Sequence, residues 1–221
     1  MEKAILDASS SPDWYFLLKN TVLGYGAKPN VLLIGITDLH VPDQIPVDSG
    51  RLAQVLTRSE DLPLLFEKLF LTLDQRADFL LSKASFLFAM RKRIRDRTLA
   101  AIVPGFRKNV NELNRTAYLK GQKSIRAQDY FFFEQLVKEA SQSVPCTVFV
   151  PIPLPHPYSI PEKVRKIIQS HGGHLIKTET DVSYSLEQFE DGYHMNKGSS
   201  AAFTRRILPQ LQKILSEGCN A

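Results

Sequence analysis

Two short runs decide what kind of sheet this chain builds. "NVLLIGI" (Asn30 to Ile36) and "PCTVFVPIP" (Pro145 to Pro153) are apolar at nearly every position, as parallel strands covered on both faces are. Parallel strands need crossover connections, and the flanking sequence supplies them. "KAILDA" (Lys3 to Ala8) reads as an earlier strand, and Pro12-Asp13 opens a helix through "DWYFLLKNTVLGYG" that leads toward Asn30. Ser11 is placed as that helix's N-cap, with Pro12 at its first position. After the Pro145 strand, "IPEKVRKIIQSHGG" (Ile160 to Gly173) is a helix with a glycine stop and "HLIKTET" (His174 to Thr180) a fourth strand. This alternation predicts a three-layer α/β/α sandwich around a parallel sheet.

Between Ser59 and Ser143 the pattern is helical only: "EDLPLLFEKLFLTL", "QRADFLLSKASFLFAMRKRIRDRTLAAIV" and "AQDYFFFEQLVKEASQ". The expectation is one domain over 1–221 with a helical insertion at 59–143. A chain of 221 residues, 43% hydrophobic and 23% charged, can bury such a core. Much of the net charge of +5 lies in "KASFLFAMRKRIRDR" (Lys83 to Arg97). That argues against a dedicated nucleic-acid binder, and it marks helix 83–97, apolar on one side and cationic on the other, as a place for membrane-surface contact. No apolar run approaches the ~20 residues of a membrane span. Met1 leads into folded-looking sequence without a signal-peptide pattern, and no compartment is assigned. Cys146 and Cys219 are expected to form no metal or disulfide framework.

Near the C-terminus, "EDGYHMNKGSSAAF" (Glu190 to Phe203) sets Asp191 three residues before His194 on a loop. An amphipathic terminal helix follows, with apolar residues at Ala202, Phe203, Ile207, Leu208, Leu211, Ile214 and Leu215. An Asp so placed accepts a hydrogen bond from the imidazole, fixes its tautomer and stabilises the imidazolium formed when His takes a proton from a nucleophile. On these two residues alone, a turn cap and a surface histidine fit equally well. In an open parallel sheet, ligands bind beyond the carboxyl ends of the strands. The residues there are Ser9, Ser10 and Ser11, then Gly35, Thr37, Asp38 and His40, then His156, and finally Asp191 with His194.

Together, "AILDASSSPDWYFLLKN", "KPNVLLIGITDLHV" and "FEDGYHMNKGSSAAFTRRIL" resemble the SGNH (GDSL-type) hydrolase superfamily over nearly the whole chain. Its bacterial cell-envelope branches, which include polysaccharide O-acetyl-handling proteins, are the most similar. The resemblance implies a flavodoxin-like sheet and four blocks meeting at the strand ends. These are a nucleophilic Ser, a Gly and an Asn that complete the oxyanion hole, and a closing Asp-x-x-His. Asp191 and His194 match the last block. In "GITD", after Gly35, Thr37 stands where the family has Asn, and "DASSSP" puts Ser9 near the family's Gly. The nucleophile block has no counterpart ahead of Lys3, so the resemblance reads the chain as N-terminally incomplete.

The implied activity is that of an esterase or O-acyltransferase on a carbohydrate or cell-envelope ester, with an ester-bearing carbohydrate or small ester as partner and neither cofactor nor metal. Three readings stay open. The chain is a piece of a longer hydrolase; it is a non-catalytic glycan- or protein-binding module on the same fold; or Ser9, with Ser10 beside it in the crevice, supplies the nucleophile to His194. His171 and His174 flank "GG" without a third ligand nearby in sequence and read as a surface turn. His40, His156 and the Pro-rich "PIPLPHPY" read as loop residues near the crevice.

Overall fold

The structure is a computed structural model describing residues 9–44, 49–106, 108–110, 112, 129–178, 180, 182–191 and 193–219. The expected strand Lys3 to Ala8 lies outside the described residues. The chain divides into two compact units: Met1–Lys28, Leu39–Asp96 and Gln128–Ser143 form one, and Pro29–Asp38, Arg97–Ala127 and Val144–Ala221 the other.

The first unit is helical. Helix α1 (Ser11–Phe16) continues as a wider π-type turn over Leu17–Leu23. Short turns at Ser49–Arg51 (α2) and Leu52–Leu56 lead to α3 (Leu62–Lys68), α4 (Leu73–Ala84) and the start of α5 (Phe86–Ile102). Helix α6 (Phe131–Ser143) packs against α1, burying Phe132, Phe133, Leu136, Val137 and Ala140. The Phe132 ring meets Phe16 at 5.6 Å and Tyr15 at 5.9 Å between centroids, tilted as the ring quadrupoles favour.

Two local expectations are corrected here. Ser10, not Ser11, caps α1: its N–H donates to Asp13 Oδ2 at 3.0 Å, and Pro12 takes the second helical position. The long helix expected from Gln75 to Val103 is two helices, parted at Ser85. Its extended backbone (φ −134°, ψ 114°) ends the ladder, and its Oγ accepts from Phe88 N–H at 3.3 Å. A serine hydroxyl offers the backbone a local partner, so it starts a helix more readily than it continues one.

The second unit holds the sheet. Strands β1 (Val31–Ile36), β2 (Cys146–Pro151) and β3 (His174–Leu175) pair in that order, all parallel, with Val31 opposite Cys146 and Val148 opposite His174. Every residue of the central β2 is buried. Helix α7 (Glu162–Ser170) makes the crossover from β2 to β3 and ends where Gly172 takes φ +75°, the left-handed stop that glycine tolerates. Side chains of Ile168 and Phe149 converge on Gly173. Helix α8 (Lys197–Lys213) and the turn Ile214–Gly218 pack Phe203, Ile207, Leu211, Ile214 and Leu215 on Cys146, Val148, Val150 and Ile176. Ala202 and Leu208, expected on that face, are exposed, because at about 100° per residue they fall to either side of the Phe203–Ile207–Leu211 row.

The fourth strand is only His174–Leu175 rather than His174 to Thr180. Beyond it, Ile176 N–H still donates to the Phe149 carbonyl at 3.0 Å, and the Thr178 hydroxyl donates to the Pro151 carbonyl at 3.1 Å. A side chain thus takes over from the ladder.

Contrary to the sequence expectation, Cys146 and Cys219 form a disulfide. The terminal helix carries Cys219 back to the start of β2, where the two Cα atoms lie 5.1 Å apart, within bridging range. A separation of 73 residues hid the pairing in the sequence. Closing a loop of that length removes about 4 kcal/mol of unfolded-chain entropy. Reduction, or Cys219→Ser, is therefore expected to lower the unfolding free energy by up to about 4 kcal/mol. Denaturant titration with and without reductant measures this, and identical midpoints would exclude a stabilising bridge.

Candidate functional site

The segment from Phe189 to Met195 is a closed hairpin. Those two residues pair as an antiparallel bridge, and Glu190 N–H donates to the His194 carbonyl at 2.8 Å. Within it, Asp191 Oδ1 accepts from the Tyr193 and His194 amides at 3.0 and 2.7 Å, while Oδ2 lies 2.7 Å from His194 Nδ1. The backbone thus fixes the carboxylate that meets the ring. Asn196 then caps α8, its Oδ1 accepting from Ser199 N–H at 2.9 Å and its Nδ2 donating to the Glu187 carbonyl at 2.8 Å. The hairpin is seated on the first turn of the helix that closes the core.

Burial is the largest single influence on Asp191 and acts to raise its pKa. The bonds from the His194 amide and ring and from the Tyr193 amide together outweigh it, holding the carboxyl below its usual range. An ionised carboxylate against Nδ1 requires the proton on that nitrogen, which leaves Nε2 as the basic atom. With the His194 side chain 65% exposed, the pair is an oriented base open to solvent.

Gly35 and Thr37 lie in the same unit, at the carboxyl end of β1. A Cβ on Gly35 would come 3.1 Å from the Ile152 side chain, a tight approach that Ile152 would have to ease by a small shift. Thr37 is buried. Sequence reasoning passed over Tyr158, which ties this end of the sheet together. Its hydroxyl donates to the Ile152 carbonyl at 2.5 Å, with the Ile36 carbonyl 3.4 Å away, and its N–H donates to Thr180 at 2.7 Å. Burial, followed by the nearby charges of Asp38, Tyr193 and Tyr184, pushes the Tyr158 phenol well above its usual range. Tyr158 therefore ties the ends of β1 and β2 together. A lone tyrosine ending a Pro-rich stretch has no periodic partner that could have flagged it.

Ser9 and Ser10 belong to the other unit. Ser9 Oγ accepts from Trp14 Nε1–H at 2.7 Å, and both the amide and hydroxyl of buried Ser10 are directed to Asp13. Asp13 in turn faces Arg51 at 3.3 Å, both side chains buried. Ser11 donates to Asp43 Oδ1 at 3.1 Å, which also accepts from Phe132 N–H at 3.0 Å. Burial raises Asp43 to about 6, and burial lowers His40, edge-on to Trp14, to about 4. The His174 ring lies where a Cβ on Gly218 would meet it at 2.8 Å, a packing role. Among the described residues no group of three or more His, Cys, Asp or Glu is placed to hold a metal ion.

The titrations of His40 and Asp43 oppose one another. His40 protonates near 6.5 when unfolded but only near 4 in the fold, so acidification through that window costs stability. Asp43 accepts its proton near 6 in the fold and at 3.8 when unfolded, so acidification through that window adds stability. His40→Asn should therefore lessen the loss of melting temperature between neutral pH and about pH 4, and Asp43→Asn should deepen it. Shifts in the same direction would refute the assignment. For the pair itself, proton–nitrogen correlation spectra should find the His194 proton on Nδ1 and a move toward Nε2–H in Asp191→Asn; an unchanged tautomer would mean that the carboxylate does not set it. Comparison with family models, with curated proteins and with solved structures finds no match to this chain.

Proposed function

We propose that this chain is an SGNH-like domain of the flavodoxin-like, three-layer type. In this reading Asp191 and His194 are the acid–base half of a site that cleaves or transfers the acyl group of a carbohydrate or cell-envelope ester. The observation that carries the reading is the 2.7 Å contact between Asp191 Oδ2 and His194 Nδ1 inside a backbone-fixed hairpin. Asp191 orients the ring, and Nε2 takes the proton of the attacking hydroxyl and returns it to the leaving oxygen. Gly35 and Thr37 stand at the strand end from which an oxyanion would be bound; Ser9, the serine that the sequence offers as nucleophile, belongs to the other unit.

One observation favours a second reading, a non-catalytic glycan- or protein-binding module on the same fold. The side chains of Ser9 and Ser10 are already engaged by Trp14 and Asp13. Intact-mass analysis after fluorophosphonate treatment separates the two. The enzymatic reading expects a single adduct that digestion places on Ser9 and that His194→Ala removes, together with a fall of at least about a hundredfold in ester hydrolysis. No adduct, with binding of an O-acetylated oligosaccharide retained in His194→Ala, would leave the binding module.

A further inference from the structure

The first unit turns an apolar stripe outward. On α4, Leu73, Ala77, Leu80, Leu81 and Ala84 follow the spacing of one helix face, and all of them are exposed, while Phe79 and Ser82 on the opposite side are buried. Beyond Ser85 the exposure continues into α5 with Phe86 and Leu87, the latter 71% exposed. Amphipathic helices ordinarily bury this stripe.

Next to it lies Phe70, the one non-glycine with positive φ among the described residues, at +49°. A phenylalanine in that region is strained by about 1–2 kcal/mol, and with Phe70 82% exposed and Leu73 81% exposed, no burial offsets the cost. The conformation belongs to the end of α3, where Phe70 N–H donates to the Glu67 carbonyl at 3.2 Å and Leu71 N–H to the Phe66 carbonyl at 3.4 Å, and it leaves the ring in solvent.

Helix α5 supplies the charge. It touches the rest of the unit at Ala89, whose carbonyl sits where a Cβ on Gly50 would fall, and through the Arg91–Asp78 ion pair. Arg91, Lys92, Arg93 and Arg95 are exposed, and Asp96 is the single acid from Phe86 to Asp96. On a helical projection Leu87 and Ile94 share a face turned away from Ala89, with Arg91 and then Arg95 along one margin, while Arg93 falls nearer the Ala89 side. Exposed Asp74 and Arg76 flank the α4 stripe, and Arg95 pairs with Asp96 at 3.0 Å; with Lys92 and Arg93 added the border is cationic on balance, which suits an anionic bilayer. Side chains standing almost fully in solvent have no neighbours to wall a pocket, whereas fluid acyl chains mould around them. No helix of the described residues is long and apolar enough to cross a membrane.

We propose that Phe70, the outer stripe of α4 and the Phe86–Asp96 part of α5 form an in-plane docking surface for anionic lipid membranes. Phe70, Leu73 and Leu87 enter the acyl boundary, and Arg93 and Arg95 meet the headgroups.

The test is co-sedimentation of the full chain with vesicles of phosphatidylcholine alone and of phosphatidylcholine mixed with phosphatidylglycerol. Binding is expected only to the mixed vesicles and should weaken with salt. Arg93→Glu with Arg95→Glu should cut partitioning at least about tenfold. Phe70→Gly is the discriminating variant, because glycine accepts the positive φ without strain: it should hold or raise the melting temperature while weakening vesicle binding. Binding that ignores lipid charge or survives both changes overturns the proposal. So does failure to bind vesicles accompanied by a concentration-dependent dimer that Leu73→Glu dissolves, since a second copy would then cover the surface.

Discussion

The second unit is built on the double burial of β2. The strand is paired with β1 on one side and β3 on the other, and its residues alternate between two packed faces. Cys146, Val148 and Val150 take α8, while Phe149 meets Ile168 near Gly173. A slip of one residue would exchange these faces. The candidate base inherits its position from this strand: packing on β2 fixes α8, the first turn of α8 fixes Asn196, and Asn196 holds the end of the hairpin that carries Asp191 and His194.

In the helical unit, carboxylates do comparable work. Asp13, Asp43 and Asp61 each gather groups from distant segments. Asp61 accepts from Lys19 at 2.6 Å, from Asn20 at 2.7 Å and from the Arg58 amide at 2.8 Å. Burial opposes ionisation of Asp61, yet those bonds leave its pKa lowered; at Asp13 burial prevails over Arg51 and the pKa is raised. Buried charges are tolerated only when bonded in this way, so these pins constrain loop positions more than they add stability.

The parts legible in the sequence are those governed by local pattern. The runs at Asn30 and Pro145 appear as β1 and β2 with their ends moved by a residue or two, and the helix before Gly172 and the Asp191–His194 contact also match the reading. What stayed hidden depends on partners remote in sequence. Cys219 reaches Cys146 only because α8 runs back along the sheet. Tyr158 gains its role from carbonyls of two different strand ends. The apolar spacing of α4 is plain in the sequence, but spacing cannot say whether a stripe faces a core or solvent. Ser85 sat inside a helical pattern, and its hydroxyl outweighed the pattern.

Each unit is assembled from three separate stretches of chain. No continuous fragment consists of either unit alone, and a proteolytic cut at any junction between stretches divides at least one of them. During synthesis β1 emerges long before β2, with the whole helical segment in between, so its apolar residues must wait for their pairing strand. Loop closure over that distance is slow, and an unpaired apolar strand is prone to sticking to other chains in the interval. The delay in pairing β1 is a kinetic constraint written in the order of the segments rather than in any contact of the finished molecule.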